Sequence, residues 1–200
     1  MSFRSRHWHW SQVAARRLWT DELASQVVEF AVSLPLLVVF VVGIFDFSGA
    51  LSLKQKLTNA AREGARVAAA DPANDLGNTL TLPVSVADAF WVVDNYLVSE
   101  KVNDCGLSVA RPNYTAGLTW VSVATGCPTI STNGIVLTID RGHVTQQTIG
   151  ATSTDVISTQ VTIQYAYKWR FNSVISLLVP SATYASVSYI TTTATAFNEN

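Results

Sequence analysis

A-S-Q-V-V-E-F-A-V-S-L-P-L-L-V-V-F-V-V-G-I-F-D-F, Ala24 to Phe47, runs directly into S-G-A-L-S-L-K-Q-K-L-T-N-A-A-R-E-G-A-R-V-A-A-A, Ser48 to Ala70. The first half is apolar at nearly every position, with one acid, Glu29, near its start. Val27 to Phe47 is 21 residues, about 31 Å as α-helix, against a bilayer core of roughly 30 Å. The uncharged core Phe30–Phe45 is shorter, so Glu29 and Asp46 are expected near the two hydrocarbon edges, where a carboxylate is least costly. Two other readings fit less well. A cleaved secretory signal has an apolar region of about 7–15 residues, although Ser48-Gly49-Ala50 resembles a small-residue cleavage site. A buried core helix is the other.

Beyond the apolar run the pattern becomes amphipathic without a break. Ala50, Leu53, Leu57, Ala60, Gly64 and Val67 recur at spacings of three and four, a heptad-like stripe of mostly small residues that lets another helix or a sheet approach closely. Asp71-Pro72 then supplies a stop, because a residue before proline resists the α region. Pro35 inside the run removes one backbone bond and is expected to kink the helix. The whole helix is predicted from about Val27 to Ala70.

The chain has 200 residues and a formal net charge of −1, with 14% charged residues. Such a balance gives no general pull toward nucleic acid, and no nucleic-acid partner is expected. Residues 1–24 are a basic leader bearing His7-Trp8-His9. Four arginines precede the apolar run (Arg4, Arg6, Arg16, Arg17) and four basic residues follow it (Lys54, Lys56, Arg62, Arg66). Charge asymmetry therefore does not orient a span; the two cysteines and the Thr-rich tail favour a cytoplasmic N-terminus and an exported C-terminus. In an oxidising compartment Cys105 and Cys127 are disulfide candidates; the other reading is two buried thiols.

Residues 71–84 read as a linker. A second helix is expected from Ser85, as its cap with Asp88 three residues on, to about Lys101, its face marked by Val86, Phe90, Val93 and Leu97. From Cys105 onward the period is two. Trp120 and Ser122 alternate with Val121 and Val123; Ile135, Leu137 and Ile139 with Val136 and Thr138; Val161, Ile163, Tyr165, Tyr167, Trp169 and Phe171 with polar neighbours. Gly117, Gly134 and Gly142 are read as turns. A short connector at 172–179 leads to a last strand near Thr183–Phe197. The expected fold class is α+β: a long N-terminal transmembrane helix extending into an exported domain (85–200) with a second helix and an antiparallel sheet of four or five strands.

Catalytic signals are weak. His143 sits in a turn-like D-R-G-H at Asp140–His143, no G-x-S-x-G or phosphate-binding glycine loop is present, and the cysteines are too far apart for a C-x-x-C pair. Asn113-Tyr114-Thr115 fits the short glycosylation pattern. The expectation is a non-enzyme without metal or cofactor.

Several motifs together resemble the TadE-like family, the minor pilin-like proteins of tight-adherence (Flp-type) pilus systems. They are V-E-F-A at Val28–Ala31, L-P-L-L at Leu34–Leu37, Gly43 with Phe45-Asp46-Phe47 and, most specific, N-A-A-R-E-G-A-R at Asn59, Ala60, Ala61, Arg62, Glu63, Gly64, Ala65 and Arg66. The tail, with V-T-I-Q-Y at Val161–Tyr165 and a final T-A-T-A, is a looser match. The resemblance implies a pseudopilin-like protein of a bacterial inner membrane, its domain periplasmic. It implies a prepilin peptidase cutting between Ala24 and Ser25, which leaves the acid fifth in the mature chain. Where the family usually carries Gly before the cut, this chain carries Ala24. The implied partners are the bilayer, other pilin-like subunits and the tight-adherence machinery. Glu29, Phe30 and Pro35 are the assembly candidates, Glu29 pairing with the new amine of a neighbour. A different class of function also fits: a single-pass anchored domain outside the cytoplasm that binds a ligand or surface. A third and weaker reading is a secreted enzyme beginning near Leu51.

Overall fold

The computed structural model describes residues 22–78, 80–127, 134–149, 152–169 and 187–199. The leader with His7-Trp8-His9 and the connector at 172–179 lie outside them. The chain divides into two compact units, one reaching Asp46 and one beginning at Phe47.

Helix α1, Glu22–Ala70, runs through Pro35 without interruption. The bond that proline cannot donate is the one to the Ala31 carbonyl, four residues back. Nearby, the Ser33 hydroxyl donates to the Glu29 and Phe30 carbonyls at 2.8 and 3.2 Å. The best 18-residue window of α1 has a mean hydropathy of 2.6, and none of it is buried. A helix apolar all round and uncovered is a candidate membrane span.

In the second unit, helix α2 covers Val84–Ser99 and buries Val86, Ala89, Phe90, Val93 and Leu97. The expected cap at Ser85 is corrected. Pro83 is the cap residue, and Ser85 lies inside the helix, buried. The capping acceptor comes from the preceding loop, where Asp75 Oδ2 receives the Val84 N–H at 2.7 Å. Proline at the cap has no side-chain acceptor, so a carboxylate nine residues back satisfies the orphan donor. The loop is thereby held in the fold, and Leu76 is buried in the core. At the other end Val102 N–H bonds the Leu97 carbonyl at 2.9 Å, and Lys101 adopts φ 57°. That is the left-handed closing position where glycine is the usual residue.

A 3₁₀ turn at Leu107–Val109 precedes five antiparallel strands: β1 Asn113–Ala116, β2 Thr119–Ala124, β3 Ile135–Ile149, β4 Thr152–Lys168 and β5 Val187–Phe197. They form one sheet in sequential order, β1-β2-β3-β4-β5. The α+β architecture is as expected from the change of period. Trp120, Ile135, Leu137, Ile139, Val161 and Ile163 share the buried face with the α1 and α2 side chains. β3 and β4 outrun their neighbours: Val144–Ile149 pairs only with Thr152–Ile157, while β2 stops at Asp140 and β5 at Ser158. Val144 and Ile157, opposite each other on this ribbon, are exposed.

The D-R-G-H segment is not a turn. It lies within β3, at an irregularity of pairing between Asp140 and His143. Extending the alternation Ile135, Leu137, Ile139 by one step puts Arg141 on the buried face.

Candidate functional site

The first half of α1 presents apolar side chains outward. Val27, Val28, Phe30, Val32, Phe40, Ile44 and Phe45 are each more than 60% exposed. Soluble monomers do not leave contiguous apolar surface of this kind uncovered. Glu29 is exposed in the same segment, and among the described residues it forms no ion pair. Phe30 is exposed beside it, Pro35 is half-buried, and Asp46 is buried between exposed Phe45 and Phe47. Ala24 and Ser25, the candidate cut, lie within the α1 backbone, two and three residues after its first residue.

The second half of α1 carries the small-residue motif, and its environment is different. Ala60, Ala61, Gly64 and Ala65 are buried, with Leu57, Ala68 and Ala69, in the core shared with α2 and the sheet. A Cβ on Gly64 would lie 2.6 Å from Val93 Cγ2, 3.4 Å from the Ala89 carbonyl and 3.8 Å from Val161 Cγ1. The stripe is therefore small because α2 and β4 pack onto it within the same chain. The face is also wider than the stripe, adding Ala61, Ala65 and Ala68 while Leu53 and Val67 stay half-buried. The motif's polar members face away: Asn59, Arg62 and Arg66 are exposed, and Arg66 pairs with Glu63 at 2.9 Å, a one-turn surface pair that contributes little.

Arg141 ties the end of α1 to the sheet. Its Nη1 donates to the Ala68 carbonyl, to Thr159 Oγ1 at 2.8 Å and to Asn198 Oδ1 at 3.3 Å; its Nη2 donates to the Asp71 carbonyl at 3.1 Å. A guanidinium fork at a helix C-terminus satisfies carbonyls that have no partner within the helix and complements the negative end of the helix dipole. Burial pulls this guanidinium down from its usual range, while Asp71 and Asp75 pull it up. Asp71 is raised by burial and by Asp88, against the lowering effect of Arg141. Glu199 N–H caps the Ala69 carbonyl at 3.2 Å. The sequence signal for this node is the inward phase of β3, masked by the turn-like look of D-R-G-H.

Cys105 and Cys127 stand at disulfide distance, Cα atoms 4.8 Å apart. The bridge closes the segment holding the 3₁₀ turn, β1 and β2. Gly126 fits beside it because a Cβ there would meet the Cys105 carbonyl oxygen at 2.4 Å. Asn113 is exposed on β1. His143 is half-buried on β3, its Nε2 3.1 Å from Gln160 Nε2.

Residues 24–66 match the family model described as TadE-like protein. The match covers the apolar half of α1 and the small-residue motif and stops short of α2 and the sheet. No curated protein and no solved structure matches the chain.

Proposed function

We propose that the protein is a membrane-anchored, pilin-like subunit that assembles a tight-adherence pilus by helix packing rather than by catalysis. One observation carries the reading: Glu29 is a carboxylate exposed on an apolar helix, without an ion-pair partner among the described residues. A charge in hydrocarbon calls for a partner, and a neighbouring subunit cut between Ala24 and Ser25 supplies one in its new amine. The family match over residues 24–66 supports the same reading.

Packing sharpens where neighbours meet. The small-residue face from Leu57 to Ala69 is covered by the chain's own α2 and sheet, so contacts between subunits fall to residues 25–49. The domain is read as periplasmic, with the leader in the cytoplasm.

Glu29→Ala is expected to leave the protein in the membrane with a native melting temperature and to lower pilus formation and crosslinking to partner subunits at least tenfold. Normal pili from that variant would sink the charge-pairing idea. Replacing residues 24–47 by an unrelated apolar span separates assembly from simple anchoring: a binding domain on an anchor keeps its activity after the swap.

A further inference from the structure

Helix α2 carries a second stripe on the side away from the core. Val84, Asp88, Trp91, Asn95 and Val98 recur at spacings of four, three, four and three, and all five are exposed. That is the a/d period of a helix that packs against another helix. Val84 is 62%, Trp91 39% and Val98 57% exposed. The opposite stripe of Val86, Phe90, Val93 and Leu97 is buried in the core. A helix with apolar stripes on two opposite sides is built to be covered on both.

The charges at the two ends of α2 are complementary. Asp88, near its start, makes no ion pair among the described residues. Acids crowd there: the Asp71 carboxyl is raised by burial and by Asp88, with a smaller push from Asp75, against the pull of Arg141. Lys101, just past the last turn, is exposed and makes no ion pair among the described residues. The acids beside it in sequence have other partners. Glu100 lies 3.4 Å from Lys56 Nζ, and Asp104 shares a hydrogen bond with Asp94. One end of α2 thus lacks a cation and the other an anion. Along one helix they stand about 20 Å apart and cannot meet.

We propose that α2 pairs antiparallel with α2 of a second copy of this chain, about a two-fold axis midway between Trp91 and Asn95. In an antiparallel seam each a position meets a d position, and every contact occurs twice. Trp91 then meets the partner's Asn95, and Asp88 meets the partner's Val98. The partner's Lys101 comes one turn further on, beside Asp88. The Asn95 amide oxygen accepts the indole N–H of the partner's Trp91, which gives a polar residue in an apolar seam its partner and fixes the register. Tryptophan is among the residues that dominate binding at interfaces. This contact of the second unit adds to the one read for residues 25–49 and does not rest on it.

Thiol crosslinking of the detergent-solubilised full chain tests the pairing, since Cys105 and Cys127 are bonded to each other. In this register Asn95 is about 6 Å along the axis from its own copy, and Val84 about 27 Å. Asn95→Cys should therefore give a covalent dimer with a short bismaleimide, and Val84→Cys should not. Added to Asn95→Cys, Asp88→Lys and Lys101→Asp should each lower the dimer yield about tenfold; both together should restore it. Neither change is expected to unfold the chain. Asp88→Lys relieves the repulsion on Asp71, and aspartate enters the left-handed region at φ 57° more readily than lysine. Absence of the Asn95→Cys dimer, which a different protein seated on α2 would also produce, overturns the proposal. So does equal crosslinking at Val84→Cys, or a double charge swap that fails to recover. Pilus formation in Glu29→Ala is a separate readout, so failure of this contact and failure of the pairing at Glu29 are told apart.

Discussion

A guanidinium inside a protein is tolerated when its donors are matched; in Arg141, 1% exposed, Nη1 and Nη2 meet two carbonyls, a hydroxyl and an amide oxygen, while the buried Nε finds no partner among the described residues. Arg141→Ala removes the donors and leaves those acceptors buried. We expect a loss of about 3–5 kcal/mol, read as a lowered denaturation midpoint of the detergent-solubilised chain. Arg141→Lys should recover only part of it, since an ammonium does not reproduce the fork. Asp94 is a second buried residue with a consequence. Burial raises its carboxyl, and repulsion from Asp104 and a hydrogen bond shared with Asp104 raise it further. The folded state thus holds this proton more tightly than the unfolded chain, whose carboxyl titrates near 3.8. Stability from this group is complete below about pH 3.8 and is lost as pH rises through the raised folded value. Asp94→Asn replaces the proton with a permanent donor. Its melting temperature should exceed wild type by a few degrees at pH 8 and converge with it toward pH 4; equal values at pH 8 would exclude the shared proton.

At the scale of elements, α1 is one helix with two different surfaces. Up to Phe47 most of its side chains are exposed and apolar; from Leu57 its small residues are covered by α2 and β4. Gly64 tests the second half. Val93 Cγ2 lies 2.6 Å from the point an alanine methyl would occupy. Gly64→Ala therefore gains helix propensity of about 1 kcal/mol but overpacks by about 1–3 kcal/mol. A net loss of stability is expected, with the apolar half untouched and membrane extraction unchanged. The disulfide belongs to the same scale. Its ends are separated by 22 residues, and closing a loop of that size contributes about 3 kcal/mol. Reduction or Cys127→Ser should therefore lower the melting temperature of the domain by roughly 10 °C, while α1 stays helical by circular dichroism.

Across the whole molecule, the parts visible in the sequence are those written in local periods. The 3.6-residue pattern of α1 and α2 and the two-residue pattern of β2, β3 and β4 each repeat within a few residues, and the sheet follows from them. The Arg141 node is not visible there, because three of its four partners lie 73, 70 and 57 residues away and nothing local specifies a pairing of that range. The use of Asp75 to cap α2 is hidden for a similar reason: Ser85 has the right chemistry for a cap, but Pro83 sets the entry of the chain. The small-residue stripe is legible as a close-approach surface, but the element that approaches it is not. That long range also sets a clock. Thr58 of α1 meets Thr192 of β5 across 134 residues of sequence, hydroxyl to hydroxyl at 2.8 Å. At about 5–20 residues per second of synthesis, Thr58 waits roughly 7–27 s for its partner on β5 to be made. The face of α1 is therefore met first by α2, whose Val93 follows Gly64 by only 29 residues, and the sheet closes on it from β4 onward.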